Sequence, residues 1–173
     1  HFAEEGADIV LVYLEETKDA KAIKKEVEKI GRKCLLLETD LKDEKNCVSC
    51  VEACIKEYGK LNIVVNNAAM QFPKDSLLDI TKKQWVKTFD TNIHPYFYLT
   101  KAALKHLKKD DTIINTSSVT AYRGSSHLVD YASTKGAIVS FTRSLSAQLA
   151  EKGIRVNGVA PGPIWTPLIP ASF

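Results

Sequence analysis

Ile113-Ile114-Asn115-Thr116-Ser117-Ser118 and, thirteen residues beyond Ser118, Tyr131-Ala132-Ser133-Thr134-Lys135 decide how this chain is read. The first stretch is a strand, Thr112 to Thr116, that runs into hydroxyl residues. The second opens a helix read from Asp130 to Lys152: Ile138, Phe141, Leu145 and Leu149 recur at helical spacing and Asp130 stands near its start. Positions i and i+4 of a helix share a face, so Tyr131 and Lys135 point the same way, near the helix N-terminus. An ammonium beside a phenol favours the phenolate, and the positive end of the helix dipole acts in the same direction. From a free value of about 10, the phenol is expected to move down toward useful acid or base strength near neutral pH. Alone, a Tyr and a Lys four apart are commonly a surface pair; the rest of the chain decides between the two readings.

Working outward, Asp8 to Leu14, Lys33 to Thr39, Leu61 to Val65 and Ile154 to Ala160 are further strands, the first carrying the continuous apolar run Ile9-Val10-Leu11-Val12 of a sheet covered on both faces. Helices are expected over Thr17 to Ile30, with Ala20, Ile23, Val27 and Ile30 on its apolar face, and over Asp43 to Tyr58. Gly31 and Gly59 end them. Residues His1 to Glu5 read as the end of a helix stopped by Gly6, and Trp85 to Leu107 as one or two helices interrupted near His94-Pro95. Alternating strands and helices with short connections imply a doubly wound α/β architecture with a parallel sheet.

The 173 residues suffice for one domain with a real core, and 45% hydrophobic with 26% charged residues is ordinary for a globular protein. The net charge of +3 is dispersed, and Lys24-Lys25 and Lys82-Lys83 read as solvated helix faces, so a nucleic-acid partner is not expected. No apolar run approaches the roughly 18 residues of a membrane span. Cys47, Cys50 and Cys54 continue an apolar stripe with Val51 and Ile55. They are read with Cys34 as reduced thiols of a cytoplasmic protein rather than as a redox or metal motif, and no metal site is expected.

Three more stretches accompany the Ser/Tyr/Lys set: Asn66-Asn67-Ala68-Ala69, Asp90-Thr91-Asn92, and Val156-Asn157-Gly158-Val159-Ala160-Pro161-Gly162. In this order the set resembles the classical short-chain dehydrogenase/reductase family, in particular its glucose/ribitol dehydrogenase-like bacterial oxidoreductases. The resemblance runs from the first residues to about Thr166. It implies a Rossmann-like doubly wound parallel sheet in a single nicotinamide-nucleotide-binding domain over residues 1–173. It also implies hydride transfer between NAD, or NADP, and a small alcohol, ketone or aldehyde. Carried over residue by residue, Tyr131 matches the general acid/base and Lys135 the lysine that depresses it and binds the nicotinamide ribose. Ser118 matches the serine on the substrate oxygen. Asn92 matches the residue that bends a helix and holds a water leading from the lysine. Asp40 and Leu41 match the pair beside the adenine. Asn67, Ala68 and Ala69 match an Asn-Ala-Gly segment, with a methyl where the family has glycine. Thr116, Pro161, Gly162, Ile164 and Thr166 complete the cofactor set, the last four as a loop over the nicotinamide. A homotetramer through the helices near 85–108 and 130–150 is implied as well.

The family's glycine-rich turn after a first strand has no counterpart here, and the chain stops soon after Pro161-Gly162. The fold is therefore expected to be incomplete, a fragment of a longer protein, and the functional reading concerns that parent. In the order 3-2-1-4-5-6 the strand without a counterpart falls between those at Asp8–Leu14 and Leu61–Val65. Glu15 and Glu16, just after the strand that approaches the ribose, favour NAD over NADP, with Lys18 as the residue that would reverse this. Tyr122, Arg123, His127, Leu128 and Val129 are candidate pocket residues, with Met70, Gln71 and Phe72 facing them. The alternatives are a 3-oxoacyl-carrier-protein reductase of the same family and a non-catalytic nucleotide-binding protein.

Overall fold

The structure, a computed structural model, describes residues 1–164 and Thr166 in two compact units, His1–Leu61 and the residues from Asn62 onward. The first unit contains β1 (Ile9–Tyr13), α1 (Thr17–Lys29), β2 (Cys34–Glu38) and α2 (Glu44–Tyr58). β1 and β2 pair in parallel, Ile9 opposite Cys34 through Tyr13 opposite Glu38. Ala3, Val27 and Cys34 form its buried cluster, with Ile9, Leu11 and Leu36 packed against it. Asp43 caps α2 by accepting from Lys45 N–H at 2.9 Å, and Gly59 closes it in the left-handed conformation that glycine enters without strain.

Two expectations change here. Residues 2–6 form turns rather than the end of a helix, with a single helix-type bond from Glu5 N–H to His1 C=O (3.1 Å), and Gly6 follows in the left-handed region (φ 93°). On α1 only Ala20 and Val27 are buried, whereas Ile23 and Ile30 are nearly half exposed. Two strands less than 5 Å apart are narrower than the apolar stripe laid over them.

The second unit contains β3 (Ile63–Asn66), α3 (Lys82–Asn92), α4 (His94–Ala103), β4 (Thr112–Thr116), α5 (Thr120–Arg123), α6 (Val129–Leu149) and β5 (Arg155–Val159). The expected helical stretch 85–107 is thus two helices, broken at Ile93 (φ −126°, ψ −43°), with Pro95 in the first turn of α4, where its missing N–H costs nothing, whereas inside a continuous helix it would lose a bond to the carbonyl four residues back. α6, expected from Asp130 to Lys152, begins at Val129 and passes into a 3₁₀ turn, Ala150–Lys152. β3, β4 and β5 form a parallel sheet with β4 in the centre, registered Ile63 to Thr112 and Thr112 to Arg155. No ladder joins β1 to β3 among the described residues; in the expected order those two strands are not neighbours. On β3 only Val64 and Asn66 are buried while Ile63 and Val65 are exposed, so cover on both faces is not met there.

The centre of this sheet is polar. Asn66 and Asn115 face each other across β3 and β4. Asn66 Nδ2 donates to Asn115 Oδ1 (2.8 Å) and to Thr100 Oγ1 on α4 (3.2 Å), and Asn115 Nδ2 donates to Thr142 Oγ1 on α6 (2.9 Å). Buried carboxamides are tolerated only when so paired. The pairings also fix the register in which β3 and β4 deliver their C-terminal ends. Asn115→Val removes an acceptor and a donor at once. It is expected to destabilise the protein by about 2–3 kcal/mol, and the Asn66→Val/Asn115→Val pair to cost less than the two single changes added, measured by denaturant titration.

Candidate active site

β4 carries the chain to Ser117 and Ser118. Ser117 extends the sheet ladder by donating its N–H to Val159 C=O (2.7 Å) and anchors α6 through Oγ to Lys135 C=O (2.9 Å). Val119 N–H donates to Pro161 C=O (3.0 Å), joining the ends of β4 and β5. Ser118 Oγ accepts from Thr120 N–H (3.2 Å) and Thr120 Oγ1 (3.0 Å), which fixes the serine at the start of α5. The C-terminal ends of β3, β4 and β5, with Asn67 to Ala69, Ser118, and Pro161 and Gly162, form the edge at which open α/β sheets take ligands.

α6 presents Tyr131 and Lys135 to this edge. Ser118, Tyr131 and Lys135 are all buried, Lys135 to 1% exposure. The Ser118 hydroxyl lies close enough to the Tyr131 phenol to favour its ionised form, and Lys135 Nζ lies 5.4 Å from the Tyr131 ring centre. Lys135 Nζ donates to Thr116 C=O (2.8 Å), the only protein acceptor it meets among the described residues. An ammonium has three N–H donors, so two remain for the hydroxyls of a ligand. That is the donor set a ribose requires, and the nicotinamide cofactor implied by the resemblance fits at this point.

The acid–base balance differs from the sequence expectation. Burial pushes the Tyr131 phenol up from its ordinary 10.0, and the nearby Ser118 hydroxyl offsets only part of this. Burial outweighs the neighbouring Lys135, whose hydrogen bond goes to the Thr116 carbonyl and which meets only the ring. Burial in turn pushes Lys135 down from 10.5 to about 8.

Asn92 is fully buried at the break between α3 and α4. Its Oδ1 accepts from Met70 N–H (2.8 Å), and its Nδ2 donates to Met70 C=O (2.8 Å) and Thr134 Oγ1 (3.1 Å). Thr134 Oγ1 donates to Tyr131 C=O (2.7 Å). Asn92 therefore ties the segment after Ala69 to the turn that carries Tyr131, and both of its side-chain N–H donors are committed to protein. Ala69 keeps φ below zero, since Asp110 is the one non-glycine described with positive φ, so its methyl causes no backbone strain.

The other residues expected at the site are placed less closely. Asn67 and Ala68 are exposed, as are Gly162, Ile164 and Thr166. Asp40 and Leu41 lie in the first unit, where Asp40 Oδ2 pairs with Lys42 (2.9 Å) and Leu41 C=O accepts from Cys47 Sγ (3.1 Å). The cysteines are free and buried, burial raises each thiol, and no metal-binding cluster occurs among the described residues. Of the candidate substrate neighbours, Gln71 and Leu128 are buried, Tyr122 is exposed, and His127 pairs with Asp75 (3.1 Å).

Sequence reasoning missed the supports. Asp130, fully buried, accepts from Tyr131 N–H (2.8 Å), Thr88 Oγ1 (2.8 Å) and Gln84 Nε2 (3.1 Å), and so locks the start of α6 to α3. An acid in the first turn of a helix was the available signal. Tyr96, which donates to Thr116 C=O (3.0 Å), gave none.

A sequence model described as enoyl-(acyl carrier protein) reductase matches residues 1–172. Among curated relatives, the chain is 57% identical over 172 residues to the uncharacterized oxidoreductase YhdF of Bacillus subtilis (99% of this chain, 60% of the relative). It is 47% identical over 178 residues to the chloroplastic NADPH-dependent aldehyde reductase 1 of Arabidopsis thaliana (99% and 62%). It is 45% identical over 179 residues to the glucose and ribitol dehydrogenase of Daucus carota (100% and 62%). The chain thus spans about three-fifths of the length of these relatives. Among solved structures, a short-chain dehydrogenase from Burkholderia cenocepacia in complex with NADP superimposes with a TM-score of 0.92 at 30% identity, covering 96% of this chain and 68% of that one.

Holding Lys135 buried has a cost that is open to measurement. Folding disfavours its charged form, so the penalty is complete below pH 8, shrinks as pH rises from about 8 to 10.5, and is gone above. Lys135→Met is expected to raise the unfolding free energy at pH 7 by about 1–3 kcal/mol, with the gain fading across that window, as read by denaturant titration at a series of pH values.

Proposed function

The chain belongs to the short-chain dehydrogenase/reductase family, and on that premise we propose that its parent protein transfers a hydride between a nicotinamide cofactor and a small alcohol or carbonyl substrate, with Tyr131 as general acid/base. The observation that carries this reading is the convergence of the Ser118 hydroxyl and the Tyr131 phenol, with the Lys135 ammonium behind the ring. When bound, the cofactor donates or accepts the hydride. Ser118 orients the substrate oxygen by hydrogen bonding. Tyr131 gives that oxygen its proton in reduction and takes it back in oxidation. Lys135 uses its two spare donors on ribose hydroxyls, and Asn92 and Asp130 keep the Tyr131 turn in place. Asn67 to Ala69, Pro161, Gly162, Ile164 and Thr166 complete the cofactor site, and Asp40 and Leu41 take the adenine end. The relatives named for aldehydes and for glucose and ribitol support a small carbonyl or polyol substrate. The acyl-carrier-protein description of the matching sequence model keeps acyl thioesters as a second substrate class. A homotetramer through α3, α4 and α6 and a cytoplasmic location remain part of the proposal, supported by the exposed Phe97 and by four unpaired thiols.

Tyr131→Phe is expected to cut nicotinamide-dependent turnover by at least about 10²–10⁴-fold while leaving the unfolding transition nearly unchanged. The measurement follows reduced-nicotinamide absorbance with aldehydes, polyols and acyl thioesters in turn. Full activity in this variant would remove the catalytic reading.

For the coenzyme, the names of the relatives favour NADP over the NAD expected from Glu15 and Glu16. Lys18, exposed in the first turn of α1, is the cation that would meet a 2′-phosphate. Lys18→Ala is expected to raise the KM for NADPH roughly tenfold, the worth of one charged hydrogen bond, and to leave that for NADH alone. A wild-type preference for NADH would overturn the assignment.

A further inference from the structure

We propose that Tyr96 is a positioning residue for Lys135: its hydroxyl donates to the same Thr116 carbonyl oxygen that receives Lys135 Nζ, and by sharing that acceptor it sets how readily the ammonium gives up its proton. The proposal rests on the catalytic reading of Tyr131 and Lys135 given above and extends it to a residue on a third element.

The geometry is specific. Tyr96 on α4 and Lys135 on α6 are each 1% exposed. Tyr96 Oη donates to Thr116 C=O at 3.0 Å and Lys135 Nζ donates to the same oxygen at 2.8 Å. Lys135 Nζ stands 5.9 Å from the Tyr96 ring centre and 5.4 Å from that of Tyr131. The ionisable groups facing the ammonium are therefore two phenols, Tyr96 from α4 and Tyr131 from its own helix. β4 contributes the Thr116 carbonyl, and burial alone displaces the lysine, with no charged group acting on it.

A carbonyl oxygen has two lone pairs and accepts two donors. Each donor draws on the same electron density, so the second bond weakens the first. The positive end of the Tyr96 hydroxyl dipole also points at the oxygen the ammonium uses, in a site too dry for water to screen it. Both effects disfavour the charged lysine. Tyr96 remains a donor throughout the working range, because burial and the neighbouring Tyr131 push its own ionisation far up. The ring contributes separately through its face, and a phenylalanine keeps that contribution.

The test uses the intact protein with ¹³C,¹⁵N-lysine, following the Lys135 side-chain resonances, assigned through Lys135→Met, across a pH titration. Tyr96→Phe is expected to move the Lys135 midpoint up by about half to one pH unit, a three- to tenfold change in its protonation equilibrium, as a weak hydrogen bond's worth of interaction requires. The alkaline limb of kcat/KM for carbonyl reduction is expected to move with it. Incorporation of 3-fluorotyrosine at position 96, a stronger donor of nearly the same shape, is expected to move the midpoint down, and carries the test alone if Tyr96→Phe does not fold. A midpoint that stays put, or moves the same way in both, overturns the proposal and leaves Tyr96 as packing. Loss of the catalytic reading would show itself differently, as full turnover in Tyr131→Phe, while the Lys135 titration would still report on Tyr96.

Discussion

A cation held almost without solvent and without a counter-charge is the constraint around which the second unit is arranged. Lys135 has one protein acceptor among the described residues, the Thr116 carbonyl, and two aromatic faces. Replacing such a group by an apolar one commonly stabilises a fold, so its retention points to use rather than to stability. Its surroundings follow from that. Thr116 must end β4 at the right depth, which the Asn66–Asn115 pairing enforces, and α6 must lie over that end, which Ser117 Oγ enforces by binding the Lys135 carbonyl.

The supports share a design. Asn92, Asp130, Thr134, Asn66 and Asn115 are buried polar side chains whose hydrogen bonds join elements distant in sequence. None needs to move for the chemistry. Fully paired networks of this kind rigidify what they touch, and in the proposed role a phenol acting on a substrate oxygen would gain from being held in place before the substrate arrives. The same side chains would be costly if unpaired, so changes among them are expected to damage folding and turnover together.

Much of this was legible in the sequence. The parallel strands, the helix of Tyr131 and the shared face of Tyr131 and Lys135 follow from apolar runs and the i, i+4 rule, whereas the grouping of Ser118 with them is what the family resemblance implies. The boundaries were less so: His94-Pro95 marks an interruption without saying on which side of it the helix stops, and the break falls at Ile93, with Pro95 in the first turn of α4 where its missing N–H costs nothing. The supports were the least legible. Whether Asp130 is a solvated helix-start acid or a buried clamp depends on Gln84 and Thr88, more than forty positions away. The acid–base balance was misjudged for a related reason. Sequence spacing gives the proximity of Lys135 to Tyr131 but not their depth, and here depth outweighs proximity.

That reversal bears on the direction of the chemistry. With the phenol raised above 10 and the ammonium lowered to about 8, the lysine sheds its proton before the tyrosine does. At neutral pH the pair therefore holds a protonated phenol beside a protonated amine, and on raising the pH the first species lost is the cation, not the acid. A protonated phenol is the form that can give a proton to a carbonyl oxygen becoming an alcohol; abstraction from an alcohol needs the phenolate, which burial withholds. In the proposed reaction, burial that keeps the proton on Tyr131 suits proton donation, and positive charge placed next to the phenol would offset that desolvation and suit proton abstraction.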